Sequence, residues 1–363
     1  MHRHDMKKQP VTSIIKLYRI MKNMKIIIIL IIFSFSIIKT SFAQECCVLL
    51  GFRHDEQLSE PLPYGETKAA ALQAKYRTLW VCLDEKDSIS IIEIDDLIVP
   101  RKDRFWKITI KRLKEQNWIE DFIVSTPITE NHEAPVIDSL VAAGCEGNRR
   151  LSLIFIGSDY LSYEGGSDGY CQGAAHPWHV NYLRTIAVDA PQGDGIDISS
   201  VLGPEAKTAL LQGADKFLSR RNNEILDTIP DERNWGLIRR RGQWILRGQL
   251  DYSSEVYRGQ FAHFNIPFPT PQSLVGYDSL SVNWQKIKEL EPNARDAVSS
   301  PGKKLLIVLT KHKLTCYQNS RPQPIRELAL LPNEFLIMAQ SAADEDVSKW
   351  DTIIRNYAGH EFD

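Results

Sequence analysis

Two cysteines constrain this chain more than any other feature. Cys145 and Cys171 stand at equal distances from Ser158. Between them, Leu151, Leu153 and Phe155 alternate with Ser152 and Ile154. "GSD" at 157–159 makes a turn, and "YLSYE" at 160–164 runs back. Alternation on either side of a Gly-containing turn is the pattern of a β-hairpin. In simple register the two cysteines face each other at its open end, where the backbone spacing admits a disulfide. The alternative is that one of them pairs with Cys82 or Cys316.

Whether cysteines pair depends on compartment. Lys22 and Lys25 precede an apolar run, Ile26 to Ile38, and Ser41-Phe42-Ala43 places small residues at the −3 and −1 positions of a cleavage site after Ala43. Residues 1–43 therefore read as a secretory signal peptide, the apolar run of 13 residues being short for a membrane span. Met21 and Met24 are alternative starts, and an N-terminal membrane anchor is the alternative reading of the segment. All six cysteines lie beyond it, so disulfides are the default expectation in an oxidising periplasmic or extracellular location. Cys46 and Cys47 are adjacent and are not expected to bridge each other. The pairing of Cys46, Cys47, Cys82 and Cys316 stays open.

Removing residues 1–43 takes away eight Lys/Arg and one Asp, leaving 36 basic and 45 acidic residues and a formal net charge of −9. Such a chain is a poor match for nucleic acid, whose phosphates need a basic surface. The basic spots Arg220-Arg221 and Arg239-Arg240-Arg241 read as solvated faces. No integral membrane span is expected in the mature chain, and its 320 residues suffice for one large or two ordinary domains.

The pattern along the chain reads as α+β, mostly antiparallel β-sheet with a few helices and disulfide staples. Residues 44–144 form a β-rich segment, with strands over 78–83, "SISIIEIDDLIVP", "FWKITIKRL" and "QNWIEDFIVST", then a short helix at "PVIDSLVAAG". Residues 145–293 form a central α+β domain. It holds the hairpin, a strand over Leu183–Val188, a helix from Pro204 to about Arg221 with Ala206, Leu210, Ala214 and Phe217 on one stripe, and further strands. A polar linker spans 294–304, and 305–363 is a β-rich tail with a hairpin around Lys311-His312. The two β-rich segments are expected to pair with one another.

The central region carries a resemblance. Its hairpin is followed by Gly173-Ala174-Ala175-His176-Pro177 and a strand, then by "DISSVLG" at 197–203 entering a helix. A strand, "DYSSEVYRGQ" at 251–260 and "IPFP" at 266–269 complete the order. This resembles the uncharacterised bacterial extracytoplasmic domain family shared by the anti-sigma factor RsiV and the peptidoglycan deacetylase PdaC. There a Gly-Gly-Ala-His segment leads into a strand and a Leu-Asp-Leu-like segment into a helix. The match spans about 145–270. Cys145 and Cys171 are not part of the family pattern. The resemblance implies an extracytoplasmic α+β domain, and neither sigma-factor control nor deacetylation.

The chemistry-bearing stretch is "GYCQGAAHPWHVNY", 169–182. His176 and His179, with Asp168 just upstream, offer two imidazoles and a carboxylate to a metal such as zinc. Pro177 breaks the helix that would put both histidines on one face. The competing reading is a Pro-turn after the staple, with Trp178 packed on the core. A Cys-His nucleophile pair needs a free thiolate at Cys171, which the disulfide removes. The chain has no Gly-x-Ser-x-Gly elbow. "GDG" at 193–195 lacks the flanking pattern of a phosphate loop, and no cofactor is expected. Asp251, Glu255 and Tyr257 read as a solvated strand rather than as paired glycosidase carboxylates. Of eight Trp, Trp80, Trp106 and Trp244 are expected in the core, and Trp118, Trp178 and Trp235 near turns as sugar-stacking surfaces. Together these features point to a non-catalytic binding or sensor-like domain of the cell envelope with a glycan or protein ligand, held by His176, Trp178, His179 and Asp168. The alternative is a metal-dependent hydrolase of envelope material.

Overall fold

A computed structural model describes residues 46–55, 74–115, 118–128, 145–174, 176–221, 229–252, 260–318, 321–342 and 346–360. The expected signal segment, the helix expected at 135–144 and the strand positions Glu255 and Tyr257 lie outside the described residues.

The N-terminal part forms β1 (Cys46–His54), β2 (Lys75–Leu83), β3 (Ile89–Ile94), β4 (Leu97–Arg101), β5 (Arg104–Glu115) and β6 (Trp118–Pro127). The hairpin is β7 (Cys145–Ile156) and β8 (Tyr160–Cys171), followed by β9 (Trp178–Ala187). Two helices come next, α1 (Ile198–Leu202) and α2 (Pro204–Leu218), then β10 (Trp235–Arg240), β11 (Gln243–Asp251) and β12 (Phe261–Asn265). Short helices α3 (Gln272–Val275) and α4 (Trp284–Leu290) lead to β13 (Asp296–Ser299), β14 (Leu305–Leu309), β15 (Lys313–Gln318), β16 (Pro324–Ala329) and β17 (Glu334–Ser341). Helix α5 (Val347–His360) closes the chain.

Among the described residues the strands form four sheets, ordered β4-β5-β6-β7-β8-β9, β17-β1-β2-β3, β10-β11-β12 and β13-β14-β15-β16. Among the described residues every strand pair is antiparallel except β6–β7. As expected, the two ends of the chain pair, β1 lying beside β17.

The β1/β2 sheet is a middle layer, and its residues show why. Trp80 and Cys82 point into the core shared with the six-stranded sheet, while Leu79, Val81 and Leu83 point into the core shared with β14 and β15. A strand buried on both faces reads as a continuous apolar run, which "LWVCL" is. Strand β14 repeats the device. Leu305 and Ile307 face the middle layer, and Leu306 and Val308 face Ile287 of α4. Helix α2 buries Ala206, Leu210 and Ala214 against β10–β12, whose Trp235, Leu237, Trp244 and Leu246 fill that core. The expected stripe is the buried one.

Three differences from the sequence reading have physical reasons. Residues Asp296–Ser299, inside the expected linker, are strand β13 with Ala297 and Val298 buried; the polar residues that suggested a linker are the turn after it, where the Lys303 amide donates to the Ser300 carbonyl. The β-rich tail ends in α5, whose Val347, Trp350, Ile354 and Tyr357 follow helical spacing and pack on the core. Trp350 meets Trp80 and Phe105 at 5.9 and 5.3 Å, and the Trp80 indole N–H donates to Asp351 at 3.1 Å. Arg239 is not a solvated cation: it is buried and paired with Asp278 and Asp296, both at 2.9 Å.

Two disulfides are formed, Cys145–Cys171 as the hairpin arithmetic required and Cys47–Cys82 across β1 and β2. The default expectation of full pairing fails at Cys316, a buried thiol on β15 packed in the core beneath the middle layer. Among the described residues no helix is long and apolar enough to cross a membrane.

Candidate functional site

The stapled end of the β7–β8 hairpin collects the residues singled out from sequence. Cross-strand register decides which of them meet. Cys145 faces Cys171, Gly147 faces Gly169, and Asn148 faces Asp168. On the other side of β8, Asp168 faces His179 and Gly169 faces Trp178. Because side chains alternate between faces, Trp178 and Asp168 lie on opposite faces of the sheet.

On one face two indoles lie over two glycines. A Cβ added at Gly169 would come within 2.4 Å of the Trp178 ring, and one at Gly147 within 3.0 Å of the Trp118 ring. Both glycines also leave no room toward backbone: their Cβ positions fall 2.3 Å from the Glu146 carbonyl and 2.2 Å from the Asp168 carbonyl. Only glycine fits this floor, since real Cβ contacts are never so short. The rings of Trp118 and Trp178 are 6.0 Å apart, tilted by 39°, and both are half-buried.

Their polar edges are tied down. Trp178 donates its indole N–H to Ser167 Oγ at 3.1 Å, and Trp118 donates to Glu120 Oε2 at 3.1 Å. Glu120 is itself buried and receives Arg149 at 3.4 Å. Arg149 also donates to the Tyr182 hydroxyl at 3.2 Å. Tyr182 continues the row, with Arg184 over its ring at 5.7 Å and Tyr163 edge-on at 6.1 Å. Burial, reinforced by Tyr182, pushes the Tyr163 phenol up to about 12, so it holds its proton at neutral pH.

The opposite face is a polar triangle. Asp168 accepts from Asn148 at 2.9 Å and from Arg150 at 3.4 Å, while Arg150 donates to Asn148 at 2.9 Å. His179 stands beside Asp168 on this face and is exposed. His176 is exposed in the β8–β9 connection. Among the described residues no group of three or more His, Cys, Asp or Glu side chains is gathered closely enough to hold a metal ion. Asp168 is engaged by Asn148 and Arg150 rather than aimed at the two histidines.

The tryptophans sort by register rather than by nearness to a turn. Trp80 and Trp244 are core, as expected, whereas Trp106 is only half-buried, with Arg101 over its ring at 5.4 Å. Trp235, expected near the surface, is fully buried and donates its N–H to the Ile196 carbonyl at 2.8 Å. Sequence reasoning named Trp118 and Trp178 separately and missed Gly147, Glu120, Arg149 and Tyr182. The signal available was glycine within a strand pattern, which marks a close approach.

No protein-family model matches the chain, and no curated protein matches it.

Proposed function

We propose that the protein is an exported, non-catalytic binding domain of the cell envelope, and that its ligand docks on the stapled end of the hairpin. The observation that supports this reading best is the Trp118–Trp178 pair. Two half-exposed indoles rest on a glycine floor with their N–H groups already satisfied, so their rings are held in place before any ligand arrives. Rigid aromatic faces of this kind lose little entropy on binding and favour flat, C–H-rich surfaces such as pyranose rings. A glycan of the envelope is therefore the favoured ligand, with a protein surface the other. Export is supported by the two disulfides and by the signal-like N-terminus. The resemblance of residues 145–270 to the RsiV and PdaC extracytoplasmic domains points the same way.

The test is titration of the purified protein with soluble peptidoglycan fragments and N-acetylhexosamine oligosaccharides, read by tryptophan fluorescence and calorimetry. Saturable binding that weakens at least about tenfold in Trp178→Ala is the expected result, since truncating an aromatic anchor at the centre of a binding surface costs about 2 kcal/mol or more. Binding that Trp178→Ala and Trp118→Ala leave unchanged would move the ligand elsewhere. No binding to any glycan would leave the protein-ligand form of the reading to be tested with envelope proteins.

A further inference from the structure

A second site lies far from the staple in the strand order, where all four sheets meet. A cleft of about 440 Å³ is bordered by β17, β7, β10 and the β13–β14 hairpin. Its size is that of small-molecule sites, which run roughly from 300 to 1,000 Å³. Ile154 and Leu336 line it and are almost fully buried, and Ile238 beside them is half-buried. Phe335, 45 % exposed, stands at its edge.

Most of the charged groups around this apolar floor are already paired. Arg239 is used up by Asp278, Asp296 and the Ala297 carbonyl. Glu334 is used up by a two-point pair with Arg77 at 2.6 and 2.7 Å. Arg53 is taken by Asp55 and the Leu153 carbonyl. Two guanidinium groups that line the cleft are left without a close carboxylate. Arg247 meets Glu164 only loosely, at 3.8 Å. Arg295 is exposed at the rim, and its side chain has no partner among the described residues. Burial lowers the proton affinity of Arg247, with Glu164 opposing the shift and Arg240 adding to it.

We propose that this cleft binds a small amphiphilic carboxylate, an acyl or aryl body ending in one anionic group. The body lies on Ile154, Ile238 and Leu336, and the carboxylate meets Arg295 and Arg247. A guanidinium offers paired N–H donors in the geometry a carboxylate accepts, and such charge-assisted bonds are about twice as strong as neutral ones. Two weakly engaged guanidinium groups on one cleft suit one anionic group that accepts from both. The residues come from three sheets and from the segment that leads into β13 of the fourth, so the site exists only in the assembled fold and is independent of the stapled end.

The experiment uses the purified protein with ¹³C-labelled isoleucine δ1 methyls, titrated with decanoate and, separately, with decanol. Decanoate is expected to shift the Ile154 and Ile238 methyls saturably and to leave Ile119, at the stapled end, in place. Decanol, with the same body and no charge, is expected to bind at least tenfold more weakly. Arg295→Ala changes an exposed side chain and leaves the fold intact; it is expected to weaken decanoate at least fivefold and decanol not at all. Equal binding of the two probes, or decanoate binding unchanged in both Arg295→Ala and Arg247→Ala, would overturn the proposal. So would shifts confined to methyls outside the cleft.

Discussion

His263 on β12 is held in a way that makes stability depend on pH. Its Nε2 is buried with no hydrogen-bond partner, and the Phe261 ring lies 4.9 Å away. Gln249 stands opposite it on β11, with Arg247 one diagonal step along. Burial first, and then the Arg247 charge, lowers its pKa to about 4, against about 6.5 for an unperturbed imidazole. Between those two values the unfolded chain takes up a proton that the native chain refuses. The unfolded state thus binds more protons, so native stability is complete above about pH 6.5 and is lost as pH falls toward 4. Integrating from about pH 7.5 to 4.5 gives a loss of about 2.5 kcal/mol from this one group. His263→Phe removes the titrating group and gives up no Nε2 hydrogen bond. The assay is urea unfolding of both proteins across that pH range. The chain has nine histidines, and the other eight cancel in the comparison. The wild type is expected to lose about 2.5 kcal/mol more than the variant between the two ends of the range. If both proteins lose stability in parallel, or if the native His263 Cε1–H resonance titrates above pH 6, the reasoning fails.

The Cys145–Cys171 bridge closes a loop with a sequence separation of 26, which in the chain-entropy model contributes about 3.5 kcal/mol. Replacing both cysteines by serine should lower the stability measured by urea unfolding by up to that amount, and should speed amide exchange first at the stapled ends of β7 and β8. Arg112 and Asp121 form a buried two-point pair at 2.7 and 2.9 Å, and Asp121 also receives the Leu151 amide at 3.2 Å. Asp121→Ala leaves Arg112 without its carboxylate and should cost about 3–5 kcal/mol, whereas Arg112→Met with Asp121→Leu should cost much less in the same unfolding assay.

Legibility followed the range of the interactions. The hairpin was legible because its rule is local: alternation, a turn and two cysteines. Even there one detail escaped. The pairing sum shifts by one between Leu153 and Phe155, a bulge at Ile154 that moves the turn without disturbing the Cys145–Cys171 match. Helix α2 was legible because Pro204 opens it and one stripe is small and apolar. Helix α5 was missed although its spacing is in the sequence, because the β-strands just before it set the expectation. Strand β13 was missed because it is four residues long and follows Arg295. Four residues are too few to show a period.

The two sites differ in the same way, and the difference explains why one was half seen and the other not at all. At the stapled end Asp168, Cys171, His176, Trp178 and His179 are neighbours in sequence, so a reader finds them together and overestimates how far they cooperate. Register then divides them, putting Trp178 on one face with Trp118 and leaving Asp168 and His179 on the other with Arg150. The cleft is the reverse case. Arg247, Ile154 and Leu336 sit on three different sheets, and Arg295 just before a strand of the fourth. Nothing in their local sequence links them. Only the stacking of four sheets brings an apolar floor beneath two under-compensated guanidinium groups, and only the partners already spent on Arg53, Arg239 and Glu334 show which charges are left over. A site of that kind is read from which charges at a junction are paired and which are not, rather than from any motif.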